Sequence, residues 1–231
     1  MKLILDMIIY IKVYIILIIK KTSFKSIVII IGDSGVGKTA ILSKYVKGIF
    51  PVAPAPTIAI EFATKIIQIK EGGYIKAQIW DSAGQERYKA IVAGHYRRAA
   101  GALIVYDVTK RSTFEHATSW LQNIKEMAEK NCITYLVGNK VDLVDINEKN
   151  REVSTEEAQK YAKENGLKFY EASALTNVRI NDCFEDLLQE IYNERRKIKG
   201  NLNEPIDKNA KILYLNKSDD DNNEKKFEGC C

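Results

Sequence analysis

Gly32-Asp33-Ser34-Gly35-Val36-Gly37-Lys38-Thr39 follows the apolar, β-branched run Ile27 to Ile31. Together they complete the pattern G-x-x-x-x-G-K-[ST], a strand-to-helix loop whose chemistry suits a phosphate chain. Glycine at 32, 35 and 37 lets the backbone curl so that successive N–H groups point at phosphate oxygens. Lys38 is then placed to reach β- and γ-phosphates, and the Thr39 hydroxyl to ligate Mg²⁺. A helix beginning near Gly37 adds its positive N-terminal end to the same anion. The expected cradle is therefore Asp33, Ser34, Gly35, Val36, Gly37, Lys38, Thr39 and the adjoining Ala40. A glycine-rich turn without a ligand is the alternative, and the rest of the chain has to decide between them.

On either side of this loop the pattern alternates short apolar strands with amphipathic segments of helix length, the signature of an α/β fold. The expected architecture is a P-loop NTPase, a six-stranded, mostly parallel sheet with helices on both faces. Strands are expected at 26–31, 58–70, 74–80, 101–107, 133–138 and 167–172, and helices at 37–47, 87–98, 112–130, 154–165 and 178–197. Gly72-Gly73 suits a hairpin turn, because both positions tolerate positive φ, and so predicts one antiparallel edge pair. The chain of 231 residues is long enough for one well-buried domain plus tails. Residues 24–199 are expected to form that domain, between a hydrophobic extension, 1–23, and a flexible tail, 200–231.

The formal net charge of +5 is modest and basic residues are interspersed with acidic ones, so the footprint of a nucleic-acid binder is missing. The four cysteines, at 132, 183, 230 and 231, lack metal-ligand spacing. Cys132 and Cys183 read as reduced, half-buried core residues.

Two further groups of residues extend the phosphate loop into a site. Trp80-Asp81-Ser82-Ala83-Gly84-Gln85-Glu86 closes a strand, with Asp81 43 residues after Lys38. A carboxylate there can hold Mg²⁺ through water, and the Gly84 N–H can meet a γ-phosphate. Asn139-Lys140-Val141-Asp142 and Ser173-Ala174-Leu175 end two later strands and supply what a guanine needs. The Asp142 carboxylate can accept from guanine N1–H and its exocyclic amine, a pattern adenine does not present, and a pocket built to pair with such groups discriminates strongly. Asn139 and Lys140 would brace the pocket and cover the base, and the Ala174 N–H would meet O6. All these motifs fall at the C-terminal ends of strands, where open α/β sheets bind ligands.

With four motifs in this order, residues 25 to 197 and the terminal cysteine pair resemble the Ras-like small GTPases, and among them the Rab family. The resemblance implies a switch that binds GTP or GDP with Mg²⁺ and slowly hydrolyses GTP. Thr57, 19 residues after Lys38, matches the switch threonine that completes Mg²⁺ coordination and senses the γ-phosphate. Phe50 matches the aromatic that packs against the guanine, and Gln85 the glutamine that orients the attacking water. Lys38, Thr57, Gly84 and Gln85 are thus the implied catalytic set, and Thr39, Thr57 and Asp81 the implied metal set. Thr57 to Phe62 and Trp80 to Tyr88 are similar to the two Rab switches. Phe62 to Thr64, Ile75 to Trp80, Glu86 to Ile91 and Gly101 to Asp107 most resemble the Rab-eleven branch, which serves recycling endosomes and post-Golgi carriers.

The same resemblance implies effectors on the switches, an exchange factor, a GTPase-activating protein, and a prenylation escort protein and dissociation inhibitor that engage Ile212-Leu213-Tyr214-Leu215. Cys230 and Cys231 look like a double geranylgeranylation site, two chains being what stable anchoring to a cytoplasmic membrane face needs. Pro51, Pro54 and Pro56 depart from the family in the first switch and restrict its backbone. Ser82 stands where Thr is common, and the loop Val144 to Val153 reads as a few residues longer than usual. Residues 3–19 are apolar except Asp6 and Lys12; a gene-model extension, an extra membrane or partner contact, and a spanning anchor all remain open for them. A non-hydrolysing nucleotide-bound scaffold and an ATP-using phosphoryl-transfer enzyme are the competing activities, disfavoured respectively by the intact Gln85 and Thr57 and by Asn139 to Asp142.

Overall fold

The computed structural model describes residues 7, 10, 23–51, 61–70, 73–81, 94 and 96–201, with Ser23 and residues 199–201 as backbone only. Six strands form one sheet: β1 (Ser23–Ile31), β2 (Glu61–Ile69), β3 (Gly73–Asp81), β4 (Ala99–Asp107), β5 (Ile133–Asn139) and β6 (Lys168–Ala172). Their order across the sheet is β2-β3-β1-β4-β5-β6. Among the described residues only β2 runs antiparallel, against β3, and the other pairings are parallel. Residues 27–31 of β1 and 102–105 of β4 are runs of Ile, Val, Leu and Ala because these strands are covered on both faces; every residue of β4 is buried. On the edge strand β2, exposed and half-buried residues alternate, as period-2 side-chain geometry requires.

Helices cover both faces. Those with described bounds are α1 (Lys38–Lys47), α2 (Arg111–Glu115), α3 (Ala117–Met127), α4 (Val141–Ile146), α5 (Thr155–Glu164) and α6 (Ile180–Asn201), with a 3-10 turn at Glu148–Asn150. One core joins α1 and α6 to the sheet through Ile41, Tyr45, Phe184, Leu187, Val28 and Ile30. The other joins α2, α3 and α5 through Phe114, Leu121, Ile124, Ala158, Ile29 and Ile104. Ser154 caps α5 by accepting from Glu157 N–H at 3.1 Å, the capping pattern its Ser-x-x-Glu sequence encodes. Among the described residues no helix is long and apolar enough to cross a membrane.

Several expected boundaries change. The helix expected at 112–130 is two segments meeting at His116, which keeps helical φ and ψ of −69° and −16°. The His116 and Trp120 N–H groups both reach back four residues, so the pieces are nearly continuous. The second piece stops at Met127, because Ala128 turns extended and a Cys132-to-Glu129 turn then feeds β5. The loop expected after Val144 begins inside α4, a helix too short for its periodicity to show in sequence. Cys183 is fully buried rather than half-buried, and Cys132 is half-buried. The last helix, α6, begins two residues later than expected and runs to Asn201. Most of the expected helix 87–98 lies outside the described residues; Gly94 and Tyr96 are helical and β4 begins at Ala99.

Candidate functional site

Sheet order gathers the motifs. β1 lies between β3 and β4, so the loop leaving it stands where the chain departs to either side, the place ligands occupy in such sheets. Register then sets neighbours at the C-terminal edge: Ile30 opposite Asp81, Asp107 opposite Asn139, and Asn139 opposite Ala172.

The phosphate loop is shaped by glycines at positive φ: 139° at Gly32, 79° at Gly35 and 98° at Gly37. Two of them are also required by close approach. A Cβ at Gly32 would sit 2.1 Å from the Val105 carbonyl oxygen, and one at Gly37 would sit 2.4 Å from Asn139 Nδ2. Within the loop Lys38 Nζ donates to the carbonyls of Gly32 at 2.9 Å and Asp33 at 2.7 Å. Lys38 is 5% exposed, and burial lowers its pKa to about 8 against the opposing pull of the Asp81 and Asp33 carboxylates. Ser34 and Gly35 are exposed at the loop's tip, while Val36 and Ala40 are buried in the core beneath it.

Asp81, fully buried at the end of β3, accepts from the Thr39 hydroxyl at 2.5 Å. Burial raises its carboxyl to about 6, opposed by the Thr39 hydrogen bond and the Lys38 charge. Among the described residues its Oδ1 is buried without a hydrogen-bond partner. A buried ammonium and a buried carboxylate side by side suit an anion and a cation bound together. The donors at the second position are hard oxygens, the set Mg²⁺ selects, so these residues fit the ion.

The base side of the site is knitted to the loop. Asn139 donates from Nδ2 to the Val36 carbonyl at 2.8 Å and accepts at Oδ1 from Ala174 N–H at 3.2 Å. The Ala174 N–H expected to meet guanine O6 is thus turned toward Asn139. Ser173 Oγ donates to Asp142 Oδ1 at 2.5 Å, fixing the plane of the carboxylate expected to read the base. Lys140 adopts a left-handed backbone, φ 73°, and its ammonium pairs with buried Asp107 at 2.6 Å. Leu175 is half-exposed beside them. Phe50 lies beyond α1, half-buried against the core that α1 and α6 share.

The loop, Lys38, Thr39, Asp81, Asn139, Lys140, Asp142, Ser173 and Ala174 therefore converge at one edge. Thr57, Gly84, Gln85, Cys230 and Cys231 lie outside the described residues, as do Pro54, Pro56, Ser82, the Ile212 to Leu215 motif and most of residues 1–22. Sequence reasoning missed three participants. Asp107 is the partner of Lys140, and His116 and Trp120 hold the Asp33 carboxylate. The four-residue spacing of His116 and Trp120, which puts both on one helix face, was the available signal.

Residues 27–193 match the model of the Ras family. The chain is 43% identical over 207 residues, covering 88% of its length and 93% of the relative's, to the Ras-related protein YPTC6 of Chlamydomonas reinhardtii. It is 48% identical over 165 residues to the Ras-related protein RABA2a of Arabidopsis thaliana, covering 71% of this chain and 74% of that one. It is 47% identical over the same length to the Ras-related protein Rab2BV of Beta vulgaris, covering 71% and 75%. A Ras-family match over most of the chain, on a sheet that brings the phosphate loop and the base-side residues to one edge, places this protein in the Ras family of small GTPases, which bind guanine nucleotides and hydrolyse GTP.

Proposed function

We propose that the chain is a Rab-type switch in vesicle traffic, acting on recycling-endosome or post-Golgi carriers. The observation that carries the guanine specificity is the Asp142–Ser173 hydrogen bond beside Asn139, which aims a fixed carboxylate where a guanine presents two donors. The phosphate chain of GTP lies in the loop of residues 32–39, with Lys38 leaving its loop carbonyls in part to meet phosphate oxygens. Thr39, Thr57 and Asp81 would hold Mg²⁺, which would neutralise charge on the phosphates. Phe50 and Lys140 cover the base, and the Ala174 N–H is shared between Asn139 and O6.

Gln85 orients the attacking water, while Thr57 and Gly84 sense the γ-phosphate and so order the two switches on which effectors dock. A GTPase-activating protein that brings an arginine to the transition state adds roughly 10³ to 10⁵ in rate. Cys230 and Cys231 carry two prenyl chains that hold the protein on the cytoplasmic membrane face, with an escort protein and a dissociation inhibitor maintaining a cytosolic pool. That arrangement argues against reading residues 3–19 as a span, since extraction requires a protein held by its lipids alone.

The test is the fate of labelled GTP on residues 23–201 with Mg²⁺, following retained nucleotide and released phosphate together, with ATP as competitor. Tight binding unmoved by ATP, with slow conversion to GDP, is expected. Displacement by ATP would overturn the base-side assignment, and binding without conversion would favour a scaffold.

A further inference from the structure

Asp33 faces two ways. Its backbone carbonyl accepts from Lys38, inside the loop. Its carboxylate leaves the loop altogether: Oδ1 accepts from Trp120 Nε1 at 2.8 Å, and Oδ2 meets His116 Nδ1 at 2.6 Å. His116 sits at the α2–α3 junction and Trp120 one turn later, so both present to the loop from one face. Trp120 is packed against the core shared by α3 and α5, which makes it a fixed anchor. The His116 side chain is 60% exposed and the Asp33 side chain 22%.

We infer that His116 and Trp120 strap the phosphate loop to α3 through the Asp33 carboxylate, and are positioning residues that slow the release of bound nucleotide. The inference rests on the nucleotide reading of the loop and adds a control on it from outside the site. A loop whose curvature depends on three glycines at positive φ has little local preference for one shape. An external tie therefore has leverage on it. Because Asp33 lends its carbonyl to Lys38, loosening its side chain also loosens the lysine that holds the phosphates.

The His116 half of the strap depends on pH. Its pKa is raised, first by the hydrogen bond to Asp33, then by that carboxylate's charge. Asp33 faces it from the loop and Glu115 from α2, while Arg111, the cation of α2, is engaged by Glu115 and Glu157. With the folded-state value raised, the charged pair is at full strength below the ordinary histidine range and weakens as pH rises through the raised value. Above it the neutral ring still donates from Nδ1, so the strap slackens without opening. Exposure means salt screens the charged part.

The experiment loads the full chain with a fluorescent GDP analogue and follows release at pH 6 and pH 8, for wild type, His116→Ala, His116→Asn and Trp120→Phe. Phenylalanine keeps the packing and loses Nε1–H; asparagine keeps a donor and loses the titration. Release about three- to tenfold faster is expected for His116→Ala and Trp120→Phe, on the scale of one hydrogen bond each. Wild type should release faster at pH 8 than at pH 6, whereas His116→Asn should release slowly at both. Equal release by all four proteins, or an equal pH slope in wild type and His116→Asn, overturns the strap. So does a release rate that merely tracks loss of thermal stability across the variants. A wild type that retains no nucleotide overturns the site reading and the strap together, which separates the two failures.

Discussion

Asn139 donates a hydrogen bond to the carbonyl of Val36, 103 positions earlier in the chain, at 2.8 Å. The bond joins the phosphate loop to the base-side residues, because the same amide accepts from Ala174. Asn139→Ala leaves the buried Val36 carbonyl unpaired, at a cost of about 1–3 kcal/mol. The expected outcome is a lower thermal midpoint together with weaker retention of both GDP and GTP, since phosphate and base sides lose their common brace. Calorimetry and nucleotide release on the same preparation check it; retention unchanged while stability falls would refute the bracing role.

The loop glycines are not equivalent. Gly35→Ala meets nothing within 4 Å and is burdened only by its left-handed backbone, about 1–2 kcal/mol. Gly32→Ala drives a methyl to 2.1 Å from the Val105 carbonyl oxygen, a backbone atom of the central strand β4. Gly32→Ala should therefore lower stability well beyond Gly35→Ala, or prevent folding. Denaturant titration of the two variants against wild type measures the difference, and equal midpoints would contradict the close approach.

Ser173→Ala removes the donor that fixes Asp142. A hydrogen bond to a carboxylate is worth about 1.5–3 kcal/mol, so GTP affinity should fall roughly ten- to hundredfold. The loss should be specific to guanine nucleotides and should narrow their margin over ATP. Competition binding reads both; an unaltered margin would remove Asp142 from base recognition.

Thr39→Asn replaces the hydroxyl that donates to Asp81 at 2.5 Å. Weaker Mg²⁺-dependent GTP binding and a shift toward the GDP-bound or empty form are expected. Chelation by EDTA should speed nucleotide release strongly in wild type and much less in Thr39→Asn. The same acceleration in both would show that Thr39 does not hold the ion.

Gln85→Leu should leave GTP bound and unhydrolysed in the presence of a GTPase-activating protein, with affinity for GTP unaltered. Single-turnover phosphate release tests it. A variant that hydrolyses at the wild-type rate would take Gln85 out of the mechanism.

The sequence by itself determined the strands, the positions of the motifs at strand ends, and the residue types expected to meet phosphate and base. A run such as Ile27 to Ile31, short, β-branched and ended by a glycine loop, has the length, branching and flank of a covered strand. The glycine pattern of residues 32–37 likewise marks where positive φ is permitted. Helix existence was equally legible for α1, α5 and α6, but the six-residue α4 was not, since less than two turns carry too little periodicity to separate from a loop.

Only the tertiary structure decided which side chains meet. Asp107 pairs with Lys140 because β4 and β5 are neighbours with Asp107 opposite Asn139, and no local pattern announces that register. The Asp33 carboxylate turns to His116 and Trp120 because α2 and α3 return over β4 onto the loop, bringing together residues 83 and 87 positions apart. Local sequence sets backbone preference through short-range sterics, whereas long-range pairing waits on the order in which strands are laid side by side.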